Sequence, residues 1–251
     1  MKIGILSDLY VDELGPLPSH KDPPDVLVLA GNIGQGTKGL EWVSSTYQCP
    51  VIYVCGNYSY RDRDIDALDA ELQERAWGTH VHVLQNQSLI VRGVRFIGCT
   101  LWSDFNLYGD PDTAMLLAEE GTLDYYRIRD RDGRRIRPAD TVARHRKAVR
   151  YLDGMVSTRF EDFPTVIITH HAPSSKSVPP RYRGDKLMPC FASNLDELVK
   201  RTRAALWLHG GEHDAADYML GETRVLANPR GFSARQEREV RPFQQDYCVE
   251  V

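Results

Sequence analysis

Apolar residues fall in short runs separated by stretches rich in Gly, Asn, Asp and Pro. Residues 2–6, 25–30, 51–55, 81–84, 165–169 and 205–208 are aliphatic, β-branched and almost continuously apolar. Such runs predict strands covered on both faces, since a strand with one solvated face alternates polar and apolar instead. Residues 89–91 and 94–98 flank Arg92-Gly93 and predict a hairpin, and residues 218–220 and 223–227 flank Gly221-Glu222 and predict another. Helical patterns lie between. Residues 37–47 follow a Gly-rich turn, and residues 64–77 place Ile65, Leu68, Leu72 and Ala76 at helical spacing. Residues 139–156 follow Pro138, whose fixed φ suits a first helical turn, and residues 194–203 carry Leu195, Leu198 and Val199. Strands alternating with helices and hairpins predict a layered α/β sandwich. No repeat and no linker-like tract divides the chain, so residues 1–251 read as one domain.

The polar residues are informative by position. Strand after predicted strand runs directly into polar groups: Ser7-Asp8-Leu9-Tyr10, Gly31-Asn32, Gly56-Asn57-Tyr58-Ser59, His170-His171-Ala172-Pro173, and His209-Gly210-Gly211-Glu212-His213. In α/β sheets ligands gather beyond the carboxyl ends of strands. The neighbouring glycines permit tight turns and close backbone approach. Together these ends predict one polar cleft.

This series resembles the calcineurin-like metallophosphoesterases, whose pattern is D-x-H, G-D, G-N-H-E/D, a lone H after a strand, then G-H-x-H. Asp8-Leu9-Tyr10, Gly31-Asn32, Gly56-Asn57-Tyr58-Ser59, His170 and Gly210-Gly211-Glu212-His213 follow it in order, spacing and strand context. The resemblance covers nearly the whole chain. Residues 24–34, 100–105, 169–174, 181–185 and 228–232 also look like the small bacterial phosphoesterases of that family. It implies a four-layer α/β sandwich of two mixed β-sheets flanked by helices. It also implies two metals: one held by the Asp and His of D-x-H, the Asp of G-D and the last His of G-H-x-H. The second shares the G-D Asp and adds the Asn, the lone His and the first His of G-H-x-H, while the His of G-N-H assists the leaving group.

Carried over residue by residue, Asp8, Asn57, His170 and His213 are kept. Tyr10 replaces His, Asn32 the bridging Asp, Tyr58 the catalytic His, and Gly211 a His. Two dications about 3.5 Å apart repel, and an anionic bridge offsets that repulsion. Asn32 is neutral, Gly211 offers no ligand, and Tyr10 binds a metal only as a phenolate, from a reference pKa of about 10. Asp8 and His213 remain as a remnant first site, Asn57 and His170 as a remnant second one. The expectation is no dinuclear centre: either no metal, or one weakly bound divalent ion (Mn, Zn or Fe) on Asp8, His213 and one of Glu212, Asp214 or His209. Tyr58, a neutral phenol, is a poorer proton donor near neutral pH than imidazole. Both tyrosines fill space and keep a polar tip, as in a cleft still shaped for a ligand.

Other groups sit nearby. His171 adjoins His170 and reads as ligand-lining or supporting. Arg181 and Arg183, in the stiff Pro179-Pro180-Arg181-Tyr182-Arg183 loop, suit bidentate capture of phosphate or carboxylate. Trp102 and Asp104 line the cleft or pack in the core, and Asn228 and Arg230 are placed to cap the last hairpin. The arginine-rich stretch 127–137 is interleaved with Asp130 and Asp132 and reads as an exposed hairpin. Composition trims the list of functions: 31 Lys+Arg against 35 Asp+Glu give a net charge of −4, which disfavours nucleic acid as a partner. The five cysteines lack C-x-x-C spacing and read as reduced thiols, and no segment suits a signal peptide or membrane span, so a cytoplasmic protein is expected. Composition alone leaves Ser-His-Asp and Cys-His triads open, but no G-x-S-x-G elbow occurs.

The first functional expectation is a diverged metallophosphoesterase-fold protein, with Tyr10, Tyr58 and His170 as its reacting groups and Asn32, Asn57, His171, Arg181 and Arg183 around a small anionic, possibly phosphorylated ligand. The alternatives are a phosphomonoesterase or phosphodiesterase using one weak metal or an unusual pair, and a non-enzymatic interaction protein.

Overall fold

The computed structural model describes residues 1–157, 163–231 and 242–251. Along the chain run β1 (Lys2–Leu6), β2 (Val26–Ala30), α1 (Lys38–Thr46), β3 (Val51–Val54), α2 (Ile65–Ala76), β4 (Val81–Val83), β5 (Gln87–Val91) and β6 (Val94–Cys99). Then come α3 (Pro111–Gly121), α4 (Asp124–Arg127), α5 (Pro138–Ser157), β7 (Thr165–Thr169), α6 (Asp196–Thr202), β8 (Leu206–His209), β9 (Ala216–Leu220), β10 (Thr223–Ala227) and β11 (Cys248–Glu250).

The strands form two mixed sheets, a five-stranded one in the order β11-β1-β2-β3-β4 and a six-stranded one in the order β5-β6-β7-β8-β10-β9. β1 to β4 run parallel, as do β6, β7, β8 and β10, while β11, β5 and β9 are antiparallel edges. Period-two alternation builds four layers. Ile3, Ile5, Val26, Val28, Ile52 and Val54 face Phe96, Val166, Ile168, Leu206 and Leu208 across the inter-sheet core. The opposite faces carry Leu6, Leu27 and Leu29 against Leu40 and Val43 of α1 and Leu68 and Leu72 of α2. On the second sheet Ile97, Ile167, Trp207 and Val225 meet Ala148 and Leu152 of α5 and Leu198 and Val199 of α6. Both faces of the central strands are thus dry, which explains their unbroken apolar runs.

The predicted strands and both hairpins lie within a residue or two of expectation, but several details differ. The last central strand includes His209, so this side chain ends a strand instead of entering the following loop. α3 was missed: Asp110 caps it by accepting from the Thr113 N–H and Pro111 opens it, yet its buried residues are only Ala114 and Ala118, too weak an apolar stripe to read. β11 has no local signal and exists by pairing with residues 2–4. Residues 127–137 do form a turn-back, with Arg129 bridging Arg135, but Ile128 and Ile136 are buried and anchor it. Asn228 Nδ2 donates to the Ile5 carbonyl at 2.7 Å and Arg230 to the Leu14 and Gly15 carbonyls, tying β1 and the chain after it to the end of the last hairpin. Phe232, in the family-like stretch 228–232, lies outside the described residues. No described helix is long and apolar enough to cross a membrane. All five cysteines are free.

Candidate functional site

The carboxyl ends of β1, β2, β3, β7 and β8 meet at one rim. There Asp8, Tyr10, Asn32 and His213 all adopt positive φ, at 51°, 48°, 56° and 58°, a conformation that non-glycine residues keep only where surrounding structure enforces it. Gly56 is required in another way. A Cβ there would stand 2.1 Å from Asn32 Oδ1, so only glycine lets β3 approach so closely.

Asn32 is the hub. The Tyr58 backbone N–H donates to its Oδ1 at 3.0 Å, which settles the orientation of the amide because a backbone nitrogen cannot accept. Its Nδ2 therefore donates inward, to Asp8 Oδ1 at 3.1 Å, Tyr10 Oη at 3.1 Å and Asn57 Oδ1 at 3.2 Å. Two amide protons serve three acceptors. Asn57 is itself oriented by Asp124, whose Oδ2 accepts from Nδ2 at 2.7 Å and whose other oxygen is paired with Arg61 at 3.1 Å.

Tyr10 is neutral. Burial pushes its phenol well above the ordinary value, and the Asp8 charge adds to the effect. Its oxygen accepts from Asn32, so its proton is available to His213 Nε2, 2.7 Å away. Asp8 Oδ1 is 3.8 Å from the same His213 nitrogen. His170 Nδ1 lies 3.0 Å from the Ala30 carbonyl and its Nε2 lies 2.9 Å from Asn57 Oδ1, so both ring nitrogens face carbonyl oxygens. Asp8 Oδ2 accepts from the Gly211 N–H at 3.0 Å. Gly211 has φ +82°, and a Cβ on it would point toward His170 Nε2 at 3.6 Å, so the missing side chain would have joined His170.

Tyr58 packs edge-on against Tyr10 with centroids 4.9 Å apart, but its hydroxyl leaves the cluster. It donates to Asp12 Oδ2 at 3.0 Å and Glu13 Oε1 at 2.8 Å. Burial and these two carboxylates push the phenol up, so it holds its proton. Asp8, Tyr10, Asn32, Asn57, Tyr58 and His170 are each 6% exposed or less; the side chains have closed over the rim, leaving Gly211 and His213 half-buried at its edge.

Other expected residues are engaged around the cluster, and the His171 ring stands edge-on to His170 with centroids 5.0 Å apart. His171 is buried, with Nδ1 on the Thr100 carbonyl at 3.1 Å and its ring stacked on Trp102, itself in the core. Arg181 is paired with Asp214 and lies over the Tyr182 ring. Arg183 is exposed on a neighbouring cavity. His209 turns to Ser177 at 2.8 Å, and burial holds it at about 4, hence uncharged at neutral pH. Burial, with Asp214 and Asp8 nearby, pushes Glu212 up to about 8. Asp124, Asp12 and Glu13 went unrecognised in the sequence because they belong to no motif and meet the site only through folding.

These donors do not fit the two-metal group that the resemblance implies. An amide NH2 points among Asp8, Tyr10 and Asn57, where a bridging carboxylate would present oxygen, and the His170 and His213 Nε2 atoms are both engaged. Among the described residues no group of three or more His, Cys, Asp or Glu side chains is arranged to hold an ion.

No family profile matches the sequence, and neither does any curated protein. Solved structures do. Phosphopantetheinyl hydrolase (PptH) from Mycobacterium tuberculosis superposes with a TM-score of 0.71 over 97% of each chain, at 16% identity. A dimetal phosphatase from Danio rerio superposes with a TM-score of 0.54 over 90% of this chain and 86% of its own, at 10% identity. At such identities the likeness is one of fold: two mixed sheets flanked by helices, shared with a phosphopantetheinyl hydrolase and a dimetal phosphatase.

Proposed function

We propose that this chain, on the metallophosphoesterase fold its structural neighbours share, is a dismantled relative of those enzymes. It is not an efficient two-metal phosphoesterase, and its rim binds or converts a small anionic ligand without paired metals. Asn32 carries this reading. Two dications about 3.5 Å apart repel by on the order of 20 kcal/mol at an effective dielectric of 20, and a bridging carboxylate offsets much of that. Asn32 offers no charge, and its inward group is a donor. Proton transfer to a leaving group is impaired as well, because the Tyr58 hydroxyl is bound to Asp12 and Glu13.

Turnover of p-nitrophenyl phosphate and bis-p-nitrophenyl phosphate with manganese tests this. The expected rate does not exceed the metal-containing buffer. Robust turnover that is lost in Asp8→Ala and His213→Ala would overturn the reading and favour a working phosphoesterase. The combined variant Tyr10→His, Asn32→Asp, Tyr58→His and Gly211→His is expected to regain metal. Closure of the rim by its own side chains supports a second reading, a protein that kept the fold for interaction. Absence of any saturable small-anion binding would favour it over the first.

A further inference from the structure

The last residue of β8 joins a second polar group besides the Asn32 cluster. His209 Nδ1 lies 2.9 Å from the Gly210 carbonyl. A carbonyl only accepts, so Nδ1 carries the ring proton and the Nε2 lone pair faces Ser177 Oγ, 2.8 Å away. Ser177 therefore donates to His209. Tyr218 Oη lies 2.7 Å from the same Oγ and, as a phenol pushed up to about 12 by burial, donates to it. One Ser177 lone pair is left over. A hydroxyl bonded to an imidazole whose other nitrogen is held by a third group is the arrangement that activates a serine.

This group borders a cavity of about 330 Å³ lined by Ser177, Val178, Pro179, Ala215, Ala216 and Tyr218. Charges sit on the same cavity. Asp214 is matched by Arg181, and Asp217 by Arg224 at 2.8 Å. Lys176 and Arg183 are exposed on it, and among the described residues neither forms an ion pair, so the cavity's uncompensated charge is positive.

We propose that Ser177, with His209 as its base, is the nucleophile of a second site that takes esters of small carboxylic acids bearing a further negative charge. Oγ attacks the ester carbonyl carbon while its proton passes to His209 Nε2. The bond from that carbon to the alcohol oxygen breaks, and the departing alkoxide takes the proton from Nε2, leaving an acyl-Ser177 ester. Water then attacks the acyl carbon, giving a proton to Nε2; Oγ leaves and recovers it. The sum is ester plus water to acid plus alcohol. Lys176 and Arg183 hold the second anionic group.

The full chain, held in EDTA so that the outcome is independent of the metal reading, is treated with a fluorophosphonate probe and digested for mass spectrometry. The expected result is one adduct, on Ser177, absent in Ser177→Ala and at least 100-fold slower in His209→Gln. Mono-4-nitrophenyl succinate is expected to be hydrolysed, with kcat/KM falling about tenfold in Lys176→Ala/Arg183→Ala while 4-nitrophenyl acetate is unaffected. Folded wild-type protein that carries no adduct on Ser177 overturns the proposal, whatever the variants do. Equal losses for both esters in the double variant overturn the anionic specificity.

Discussion

Asn32→Asp is the sharpest perturbation of the closed rim. The wild-type Asn32 and Asp8 are buried, and Nδ2 stands 3.1 Å from Asp8 Oδ1. The substitution turns that donor into a second carboxylate oxygen. Two carboxylates about 4 Å apart repel by about 4 kcal/mol at an effective dielectric of 20. The pair escapes by taking up a proton, which at pH 7 costs about 4 kcal/mol for a group of reference pKa about 4. Both routes give the same scale, so the variant in EDTA is expected to lose roughly 4 kcal/mol, or about 8–16 °C in Tm for a chain of this size. The sign with pH follows. The introduced acid has a folded pKa raised above its unfolded value, so its penalty is absent below about pH 4 and grows as pH rises through the folded pKa. Urea unfolding by circular dichroism in EDTA at pH 5.5 and pH 8 is the assay, and the variant's deficit should be smaller at the lower pH. A variant within 1 kcal/mol of wild type at pH 8 would refute the assignment of Asn32 as an inward donor.

Other outcomes follow from the same geometry. Tyr10→Phe removes the hydroxyl between Asn32 and His213 and should cost about 1–3 kcal/mol in urea unfolding. Gly56→Ala forces a Cβ to 2.1 Å from Asn32 Oδ1, and calorimetry should show a loss of more than 2 kcal/mol, the upper range for overpacked sites. Glu212 is buried and raised to about 8, so its contribution to stability is present below its unfolded value and is lost as pH rises toward and through 8. Glu212→Gln should therefore flatten stability between about pH 5 and 9 and exceed wild type at pH 9 by a few kcal/mol; an unchanged slope in pH-dependent unfolding contradicts the assignment.

Much of the rim was legible because backbone geometry leaves marks in sequence. Glycines beside Asn32, Asn57 and Gly211 announced close approach at strand ends, and unbroken aliphatic runs announced strands covered on both sides. Side-chain direction was not legible. Asn32 reads equally as acceptor or donor until the Tyr58 N–H orients it. The two tyrosines read as a cleft lining, but the depth of their burial was not legible. His209 looked like a spare ligand until its place as the last residue of β8 turned it toward Ser177, a residue in no motif. Arg181 looked free to clamp an anion, and Asp214 claims it. Such facts depend on partners far away in the chain, which local pattern does not encode.

The most direct measurement is a crystal of the wild-type protein grown in excess manganese and examined by anomalous diffraction at the manganese edge. The account predicts no fully occupied peak between Asp8, Asn32, Asn57, His170 and His213, with the Asn32 amide still donating to Asp8. Two full, well-coordinated manganese peaks there, with Asn32 turned to present its oxygen between them, would contradict it.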